Sequence, residues 1–336
     1  MTTPADHVSV VVPNWNGRPW LPACLDGLRR QHLAPAEVLV VDNGSTDASI
    51  EYLRTEHENV RILAVGRNAG FAHAANLGLE AASGELVALV NTDVVLAEDW
   101  LERMVAALLR RADAASAACK MLSLDDPTRV YDAGDFLRRD GACEQRGRFL
   151  LDDGRWDVPE EVFGACAGAA LYRRSAVLGA GGFDERYFAY LEDVDLALRL
   201  RLGGWSCVYE PAVALHAGAG SSHQLRHGPD RLVTRNTLVL VAKAFPARWL
   251  RFVAYRQLAW AWHALRERRL GSHAAALLSA LPMIPAALSE RGQLRADARV
   301  PIDVAVPWRP IRGRKAGGHP AHIAGNAPTG PAQRRR

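Results

Sequence analysis

Three apolar segments in the first 95 residues are each followed by carboxylate or amide side chains. The pairs are Asn14/Asn16, Asp42/Asn43 and Asn91/Asp93. Oxygen atoms of these types are the ligands that hard divalent cations take, and a carboxylate also accepts hydrogen bonds from a base or a ribose. Asp42 is therefore a candidate for contact with a base or ribose, and Asp93 is a candidate ligand of Mg²⁺ or Mn²⁺ between phosphates.

The loop after the first apolar segment, PNWNGRPW at 13–20, lacks a glycine-rich phosphate cradle. Neither GxGxxG nor GxxxxGK[ST] occurs near it, which disfavours a dehydrogenase or a P-loop enzyme. A nucleotidyltransferase would also be expected to carry a glycine-rich, basic loop there. A diphosphate bound by this chain would instead be held by a divalent cation and a few carboxylates.

The elements that position these residues alternate between strand and helix patterns. Predicted strands cover Val8–Val12, Glu37–Val41, Val60–Val65 and Glu85–Val90, and predicted helices cover Trp20–His32, Asp47–Thr55 and Phe71–Ala82. Buried strands that alternate with helices predict a Rossmann-like, mostly parallel sheet flanked by helices. Ligands of such sheets bind beyond the carboxyl ends of the strands, which is where the polar pairs lie.

A second group of acidic residues lies on a later helix. The pattern predicts this helix over Tyr190–Leu202, with Gly203 and Gly204 ending it. A helix over Trp100–Arg111 and a strand over 205–215 are also predicted, whereas residues 122–162 give no clear period.

Six sequence motifs occur in an order that is typical of one enzyme family. They are VSVVVPNWNG at 8–17, VVDNGSTD at 40–47, RNAGFAHAAN at 67–76, NTDV at 91–94, GGFDERYFAYLEDVDLALR at 181–199 and RN at 235–236. Together they resemble glycosyltransferase family 2, and within it the bacterial rhamnosyltransferase-like members. The resemblance covers roughly residues 8–240 and implies a GT-A fold, a nucleotide-diphosphate-sugar donor, a divalent metal and an inverting displacement.

The resemblance also implies roles for individual residues. The nucleotide-binding residues would be Pro13, Asn14, Asn16, Asp42, Asn43, Arg67, Asn68, Gly70 and Asn91. Among these, Asp42 matches the residue that reads the base, and Arg67 could meet a phosphate. Asp193 matches the catalytic base, and its neighbours Glu192 and Asp184 would contact the acceptor.

The metal motif departs from the family pattern. The family usually has Asp-x-Asp, whereas this chain has Asn91-Thr92-Asp93, so one negative charge is missing. Asp93 is retained as the direct ligand of Mg²⁺ or Mn²⁺, and His216 is placed like the additional ligand of some relatives. The amide at 91 is expected to weaken metal affinity.

An inverting transfer needs one carboxylate that takes the proton of an acceptor hydroxyl while this hydroxyl attacks the anomeric carbon. The leaving nucleoside diphosphate needs charge stabilisation, which a metal on Asp93 would supply. We therefore expect an inverting hexosyltransferase that moves a sugar, with rhamnose as the candidate, from a dTDP or UDP donor to a cell-envelope polysaccharide or a lipid-linked glycan.

Other interpretations remain open on the residues alone. An aspartate after a strand is more often a turn former or helix cap than a ligand, and Asp42 before Gly44-Ser45-Thr46 fits that role. The acidic residues of the later helix could form a solvated face, with Asp195 and Arg199 as an i,i+4 pair. Because Asn91 replaces an aspartate, a non-catalytic sugar-nucleotide-binding or assembly subunit is the alternative function.

The 336 residues are 49% hydrophobic and 23% charged, which excludes collagen-like, disordered and disulfide-scaffold proteins. The charge is unevenly distributed. Residues 1–225 hold 21 basic and 32 acidic side chains, whereas residues 226–336 hold 20 basic and 5 acidic ones. We therefore expect different partners for the two parts.

The five scattered cysteines form no CxxC pair, so we expect neither disulfides nor a zinc site, and a cytoplasmic location. The N-terminal segment lacks the features of a signal peptide. The longest apolar run, Ala274–Leu288, is shorter than the roughly 20 residues of a membrane span and contains Pro282 and Pro285. An integral membrane protein is not expected.

Tryptophans are interleaved with arginines over residues 248–270. For residues 226–300 we therefore expect peripheral contact with the anionic inner face of the cell membrane. No nucleic-acid-binding module accompanies these basic residues, so nucleic acid is not expected as a partner. We predict a glycosyltransferase domain at 1–240, a helical basic extension at 241–300 and a disordered basic tail at 301–336.

Overall fold

A ten-stranded sheet is the centre of the computed structural model, which describes residues 8–218 and 228–308. The chain begins with a strand–helix alternation that agrees closely with the sequence prediction. Its strands are β1 (Val8–Asn14), β2 (Glu37–Asp42), β3 (Val60–Ala64) and β4 (Leu86–Val90), and its helices are α1 (Leu21–Arg29), α2 (Ser49–Glu56) and α3 (Phe71–Ala81). The four strands are parallel to one another, so their carboxyl ends lie at one edge of the sheet.

The middle of the chain extends the sheet on the other side of β4 with strands of both directions. Its elements are β5 (Val94–Leu96), α4 (Trp100–Leu109), β6 (Ala114–Ser123), β7 (Val130–Asp132), β8 (Asp135–Leu137), β9 (Cys143–Gln145), β10 (Glu160–Val162), β11 (Ala169–Arg173), α5 (Arg174–Gly179), α6 (Glu192–Leu202) and β12 (Ser206–His216). The sheet order is β10-β12-β6-β11-β4-β1-β2-β3, with β5 paired to β12 and β7 to β6. Strands β8 and β9 form a separate two-stranded hairpin.

Two apolar clusters cover the two faces of the sheet. Val10 and Val12 of β1 belong to one cluster, together with Leu21 and Trp100, whereas Val11 between them belongs to the other, together with Leu79. Successive side chains of a strand point to opposite faces, so a continuous run of valines fills both layers. This explains why β1 carries consecutive valines at 10–12 before the polar residues at its carboxyl end.

The remaining helices form a third cluster that includes α6. They are α7 (Gly228–Ala244), α8 (Leu250–Arg266), α9 (Leu270–Ala280), α10 (Ile284–Ala296) and α11 (Ile302–Ala305). Leu198 of α6 shares this core with Val239, Phe245 and Trp249. The boundary predicted at residue 240 falls inside α7, so the helical part begins with that helix and is continuous with the packing of α6.

The prediction of a disordered tail from residue 301 is wrong for residues 301–308. Helix α11 lies against α6, and Ala305 and Val306 are almost fully buried. Arg139 donates hydrogen bonds to the carbonyl oxygens of Asp303 and Val306, and Arg201 donates to that of Ala305. The rest of the predicted tail, 309–336, lies outside the described residues.

One helical stretch is long and apolar enough to cross a membrane, judged by length and composition. It runs for 27 residues over Leu270–Ala296, and 22% of its most apolar window is buried. The sequence prediction considered only the 15-residue run Ala274–Leu288, which is shorter than a membrane span, and took Pro282 and Pro285 as a further argument against one. Pro282 lies in the first turn of the short 3₁₀ segment Leu281–Met283, and Pro285 lies in the first turn of α10. A proline in a first turn removes no helical hydrogen bond, because the N–H groups there have no partner within the helix, so the helical stretch continues.

Candidate active site

The ends of β1 and β2 are joined through Asp42, which is completely buried. Asn14 Nδ2 donates to Asp42 Oδ2 at 2.7 Å, and the Ser45 amide donates to Asp42 Oδ1 at 2.9 Å. Asp42 thus acts as a turn former here, as the alternative interpretation expected. A role in contacting a base stays a prediction, and it would use the remaining lone pairs of the same oxygens.

The loop after β1 is fixed to the loop after β2. Asn16 adopts a left-handed conformation (φ 50°), and its Oδ1 accepts the Thr46 amide proton at 2.8 Å. The Asn16 amide in turn donates to Ser45 Oγ at 2.9 Å. Pro13, opposite Val41 in the ladder, precedes this loop. The two loops therefore form one rigid rim beside the sheet edge.

Asn43 connects this rim to the loop that precedes α3. Its Nδ2 donates to Asn68 Oδ1 at 3.1 Å and to the Gly70 carbonyl at 3.0 Å, and its Oδ1 accepts the Ala69 amide proton. Gly70 has φ +96°, and an added Cβ would lie 2.5 Å from the carbonyl oxygen of Phe188, so no other residue fits. Arg67 of this loop is exposed. The structure thus brings the predicted donor-side residues of three loops together.

Asp93 is a buried carboxylate that lacks compensation. It is 4% exposed, and its Oδ2 has no hydrogen-bond donor among the described residues. Nδ1 of His216 lies 3.6 Å from this oxygen. An unpaired buried charge is costly, so a cation is the partner that these surroundings call for.

The surroundings of His216 favour its neutral form. Burial lowers the pKa of His216, only partly opposed by the Asp93 charge, and its Nδ1 accepts the Gly218 amide proton at 2.7 Å. The ring stacks on Tyr131 with centroids 4.1 Å apart. A metal bond at Nδ1 of His216 would replace the hydrogen bond that this atom accepts from the Gly218 amide.

Asp93 fits the predicted metal role better than His216 does. The described parts of the chain contain no group of three or more acidic, histidine or cysteine side chains arranged to hold a metal. Two protein donors are nevertheless enough for a cation that takes its other ligands from water and substrate phosphates.

Asp193 lies in the first turn of α6, directly after a strained loop. Phe188, Tyr190 and Leu191 in this loop all have positive φ, between 66° and 69°. Asp193 Oδ1 accepts the Val194 amide proton at 2.8 Å, and Oδ2 accepts the Ala167 amide proton at 3.2 Å. Burial raises the pKa of Asp193, and these two N–H donors oppose the rise only in part.

The residue next to Ala167 contacts the predicted metal site. The backbone N–H of Asn91 donates a hydrogen bond to the Gly168 carbonyl oxygen at 2.8 Å. A Cβ added to Gly168 would lie 3.3 Å from Asn91 Nδ2 and 3.6 Å from His216 Cδ2. One short segment, 166–168, therefore links the Asp193 carboxylate to Asn91 and His216. The predicted base and the predicted metal ligands are brought to one place.

The solvated-face interpretation of the acidic helix is wrong for two of its residues. Glu192 is buried, one of its carboxylate oxygens has no hydrogen-bond partner among the described residues, and burial together with Asp193 raises its pKa. Asp195 is also buried and forms the expected pair with Arg199, at 2.8 Å. Lys243 lies 2.9 Å from the same carboxylate, which makes the pair part of an internal network.

Asp184 belongs to this network and not to an open surface. Its Oδ2 accepts from Lys243 Nζ at 2.8 Å, and Arg186 pairs with the same carboxylate. Burial would raise the pKa of Asp184, but Arg186 and Lys243 together hold it below its usual range. These contacts favour a structural role, and the acceptor-binding role predicted for Asp184 gains no support from them.

Residue-level reasoning missed the two residues that hold the strained loop. Asn236 Nδ2, on α7, lies within hydrogen-bond distance of the carbonyl oxygens of Tyr187 (3.0 Å), Ala189 (2.9 Å) and Tyr190 (2.6 Å). Arg235 Nη2 donates to the Tyr187 carbonyl at 2.7 Å. The RN motif was the available signal, because it was one of the six that carry the resemblance.

Two buried aspartates near Asp193 were also missed. Asp132 and Asp135 are 1% and 3% exposed, and burial raises the pKa of both, that of Asp132 to about 6. The charge of Asp193 contributes to both shifts. They lie in the stretch 122–162, where the strands are too short to give a sequence period.

Comparisons with known proteins agree with this architecture. The family model of glycosyl transferase family 2 matches residues 9–178. An N-acetylglucosaminyl-diphospho-decaprenol L-rhamnosyltransferase of Mycobacterium tuberculosis is 34% identical over 247 residues, which cover 65% of this chain and 78% of that protein. Glycosyltransferase AglE of Haloferax volcanii is 35% identical over 113 residues, covering 32% of this chain and 37% of that protein.

Solved structures support the fold. The mannosyltransferase PcManGT of Pyrobaculum calidifontis, solved with GDP-Man and Mn²⁺, superposes with a TM-score of 0.52 and 19% identity over 87% of this chain and 85% of that one. GalNAc-T7, solved with UDP, GalNAc and Mn²⁺, gives a TM-score of 0.56 and 14% identity over 72% of this chain and 48% of that one. The family match covers half of the sequence, and the sheet has the expected GT-A architecture. The chain is a glycosyltransferase and belongs to glycosyltransferase family 2.

Proposed function

We propose that this glycosyltransferase acts by inverting displacement, with Asp193 as the base and a divalent cation on Asp93. The observation that carries the proposal is the segment 166–168, whose Ala167 amide binds the Asp193 carboxylate while Gly168 packs on Asn91 and His216. A proton acceptor and a cation site thus border the same space. That combination is what transfer from a nucleotide diphosphate to a hydroxyl needs.

Asp193 would take the proton of the acceptor hydroxyl as the oxygen attacks the anomeric carbon. The new glycosidic bond forms as the bond between that carbon and the diphosphate oxygen breaks, and the proton remains on the carboxyl group. A raised pKa makes Asp193 a stronger base than an ordinary aspartate. Two backbone N–H donors fix the direction of its carboxylate.

Asp93 would hold Mg²⁺ or Mn²⁺, with His216 as a second ligand. The support is the unpaired, buried Oδ2 of Asp93 next to a neutral imidazole. A bound cation would supply positive charge for the leaving diphosphate. Asn91 contributes an amide instead of a second carboxylate, so the site carries less negative charge than Asp-x-Asp and is expected to bind metal more weakly.

The donor would lie against the rim formed by the loops after β1 and β2 and the loop before α3. The residues proposed to bind its nucleotide are Pro13, Asn14, Asn16, Asp42, Asn43, Arg67, Asn68, Gly70 and Asn91. The Mycobacterium relative is named as a rhamnosyltransferase that acts on a lipid-linked diphospho-sugar. We therefore propose a dTDP- or UDP-linked sugar, rhamnose first, as donor and a lipid-linked cell-envelope glycan as acceptor, with Glu192 beside it.

We place the protein in the cytoplasm, peripherally on the inner face of the membrane. The stretch Leu270–Ala296 is apolar enough to cross a bilayer, but Ala276, Ala280 and Ala287 on it are completely buried. Arg291 donates to the carbonyl oxygens of Val241 and Ala242, and Glu290 pairs with Arg186. These contacts favour an arrangement in which Leu270–Ala296 packs on α7 and lies along the membrane surface and does not cross the bilayer.

The experiment that tests the proposal combines a thermal-shift screen with product analysis. Nucleotide-diphosphate sugars are screened with and without Mn²⁺, because a ligand that binds the native state raises its Tm. The best donor is then incubated with a lipid-linked diphospho-sugar, and the anomeric configuration of the product is determined. An inverted linkage is expected. A retained linkage would refute the displacement, and donor binding without transfer or donor hydrolysis would favour the binding-subunit alternative.

A further inference from the structure

A cavity of about 640 Å³ lies at the end of α6 that is opposite to Asp193. It is bounded by the last turn of α6, the segment between α7 and α8, and the end of α10. Its polar lining comes from Arg248, Arg291, Arg295 and Arg299, and its apolar lining includes Leu202 and Leu294. Among the described residues, no acidic side chain lines it. A cavity of this size with apolar walls and a few convergent polar groups is the usual form of a small-ligand site.

The positive charge of the cavity is only partly compensated within the described residues. Arg248 pairs with Asp303, and Arg291 is bound to carbonyl oxygens of α7 at 2.8 and 2.9 Å. No acidic side chain of the described ranges pairs with Arg295 or Arg299. The pKa of Arg291 is lowered by burial and further by the charge of Arg295, which indicates a positive potential inside the cavity. An anion would relieve it.

An exposed row of leucines leads to the cavity along the helical stretch 270–296. Leu278, Leu281 and Leu288 are 65%, 59% and 47% exposed. Residues seven positions apart lie on the same face of a helix, so Leu281, Leu288 and Arg295 follow one another on one side. An apolar row that ends at arginines matches the boundary between the acyl chains and the phosphates of a membrane.

We propose that the cavity binds the phosphate of an anionic membrane lipid, with the acyl chains along the leucine row. The phosphate would pair with Arg295 and Arg299, for which the described residues supply no acidic partner. The site is separate from the proposed transfer site, because nine helical residues, about 14 Å, separate Leu202 from Asp193. Lipid binding here rests on the proposed peripheral location but does not depend on sugar transfer. It would hold the active site at a fixed height above the bilayer.

The test compares two double variants that lose the same charge. Arg295→Gln with Arg299→Gln changes the cavity, whereas Arg29→Gln with Arg54→Gln removes two exposed charges on α1 and α2, outside it. Sedimentation with vesicles of phosphatidylglycerol in phosphatidylcholine measures lipid affinity. We expect about tenfold weaker binding for the cavity variant and less than about threefold for the control. Pure phosphatidylcholine should bind neither the parent chain nor the variants.

Two further measurements separate the possible outcomes. The effect of inorganic phosphate on Tm tests a free anion, and donor binding at the transfer site tests the proposed function independently. Equal loss in both variants, or no binding to anionic vesicles, would overturn the proposal. Inorganic phosphate could raise the Tm of the parent chain and of the control variant but not that of the cavity variant, while no variant binds vesicles. That result would show that the cavity binds free phosphate, and it would overturn the lipid as its ligand. Unchanged donor binding in the cavity variant is expected in every case.

Discussion

Asp93 combines burial with the absence of a hydrogen-bond donor at one oxygen among the described residues. We predict opposite effects of Asp93→Ala on stability and on ligand binding. Without metal, the variant should be as stable as the parent chain or more stable, because it loses an uncompensated buried charge. With Mn²⁺, donor affinity should fall by about tenfold or more, to the metal-free value. Calorimetric titration of the donor with and without Mn²⁺ measures this effect.

The control for this prediction is Asp153→Ala, which removes an exposed aspartate paired with Arg155. It should change neither Tm nor donor affinity by more than the experimental error. Mn²⁺ stimulation that survives in Asp93→Ala would contradict the metal role of this residue.

Asp132 provides a pH-dependent test of the buried carboxylates. Burial raises its pKa from 3.8 to about 6, so the native state binds this proton more tightly than the unfolded state does. The resulting stabilisation is complete at low pH and is lost as the pH rises through the folded-state pKa. Asp132→Asn should therefore raise the free energy of unfolding near neutral pH, by up to about 3 kcal/mol.

The gain in the free energy of unfolding of Asp132→Asn over the parent chain should be about 1 kcal/mol smaller at about pH 5 than at about pH 8. Urea denaturation at the two pH values measures it. Asp153→Asn serves as the matched exposed control: the pKa of Asp153 is lowered by Arg155, so this variant should show no gain in stability at either pH. A gain for Asp132→Asn that is independent of pH would show that ionisation is not the cause.

Single residues were predictable where a motif carried them. Asp93, Asp193 and the polar residues after β1 and β2 follow from the strand ends and from the resemblance. The partners of Asp184 did not follow, because Lys243 is 59 residues away in the sequence and only the packing of α7 brings it near. The burial of Glu192 was also missed, because a helix with acidic residues on several sides has no clear polar face from which burial could be predicted.

At the scale of elements, the loop before α6 is held in a conformation that L-residues rarely adopt. Three of its residues have positive φ, which is costly for residues other than glycine. The carbonyl groups of this loop converge on the completely buried amide of Asn236. We infer that α7 fixes the loop and thereby the direction of the Asp193 carboxylate.

Asn236→Ala should therefore lower kcat by about tenfold or more while the donor Kd stays within about twofold. It should also lower the free energy of unfolding by about 1–3 kcal/mol, because buried carbonyl groups lose their donor. Steady-state kinetics at a temperature well below both Tm values separates the two effects.

Thr237→Ala is the matched control in the same helix. Thr237 is also buried, but its hydroxyl donates to the Val233 carbonyl within α7 and not to the loop before α6. Thr237→Ala should lower the free energy of unfolding but leave kcat close to that of the parent chain. Equal effects of the two variants on kcat would contradict the positioning role of Asn236.

The elements differed in how well the sequence predicted them. The four parallel strands were predicted within two residues at each end, since strands of five to seven apolar residues give a clear signal. Strands β7 to β10 were not predicted, because three residues are too few for an alternation to appear. The continuity of α9 and α10 was also missed, since it depends on where two prolines fall within a turn.

For the whole molecule, the uneven charge has two consequences. The basic part supplies Lys243 and Arg235 to the region around α6, so some of its charge is used internally. Other arginines line the cavity at the far end of α6. The sequence predicted the imbalance and a docking role, whereas the shared core between α6 and the helical part required the structure.

Because that core is shared, the sheet region should not be stable alone. A chain shortened to residues 1–218 loses Val239, Phe245 and Trp249 from the cluster around Leu198. We expect this chain to unfold without a cooperative transition in urea, followed by circular dichroism. A chain shortened to 1–308 retains the cluster and should keep a cooperative transition. A cooperative transition of 1–218 with an unchanged midpoint would contradict the single shared core.

The central claim is that Asp193 is the base of a sugar transfer, and Asp193→Asn tests it most directly. The side-chain amide of Asn at position 193 keeps an oxygen that can accept the hydrogen bond from the Ala167 backbone N–H. At neutral pH, however, this amide cannot take a proton from the acceptor hydroxyl. Transfer by the purified variant should fall by about 10²- to 10⁴-fold, while the donor Kd measured with Mn²⁺ stays within about twofold. Transfer at a rate close to that of the parent chain would contradict the account.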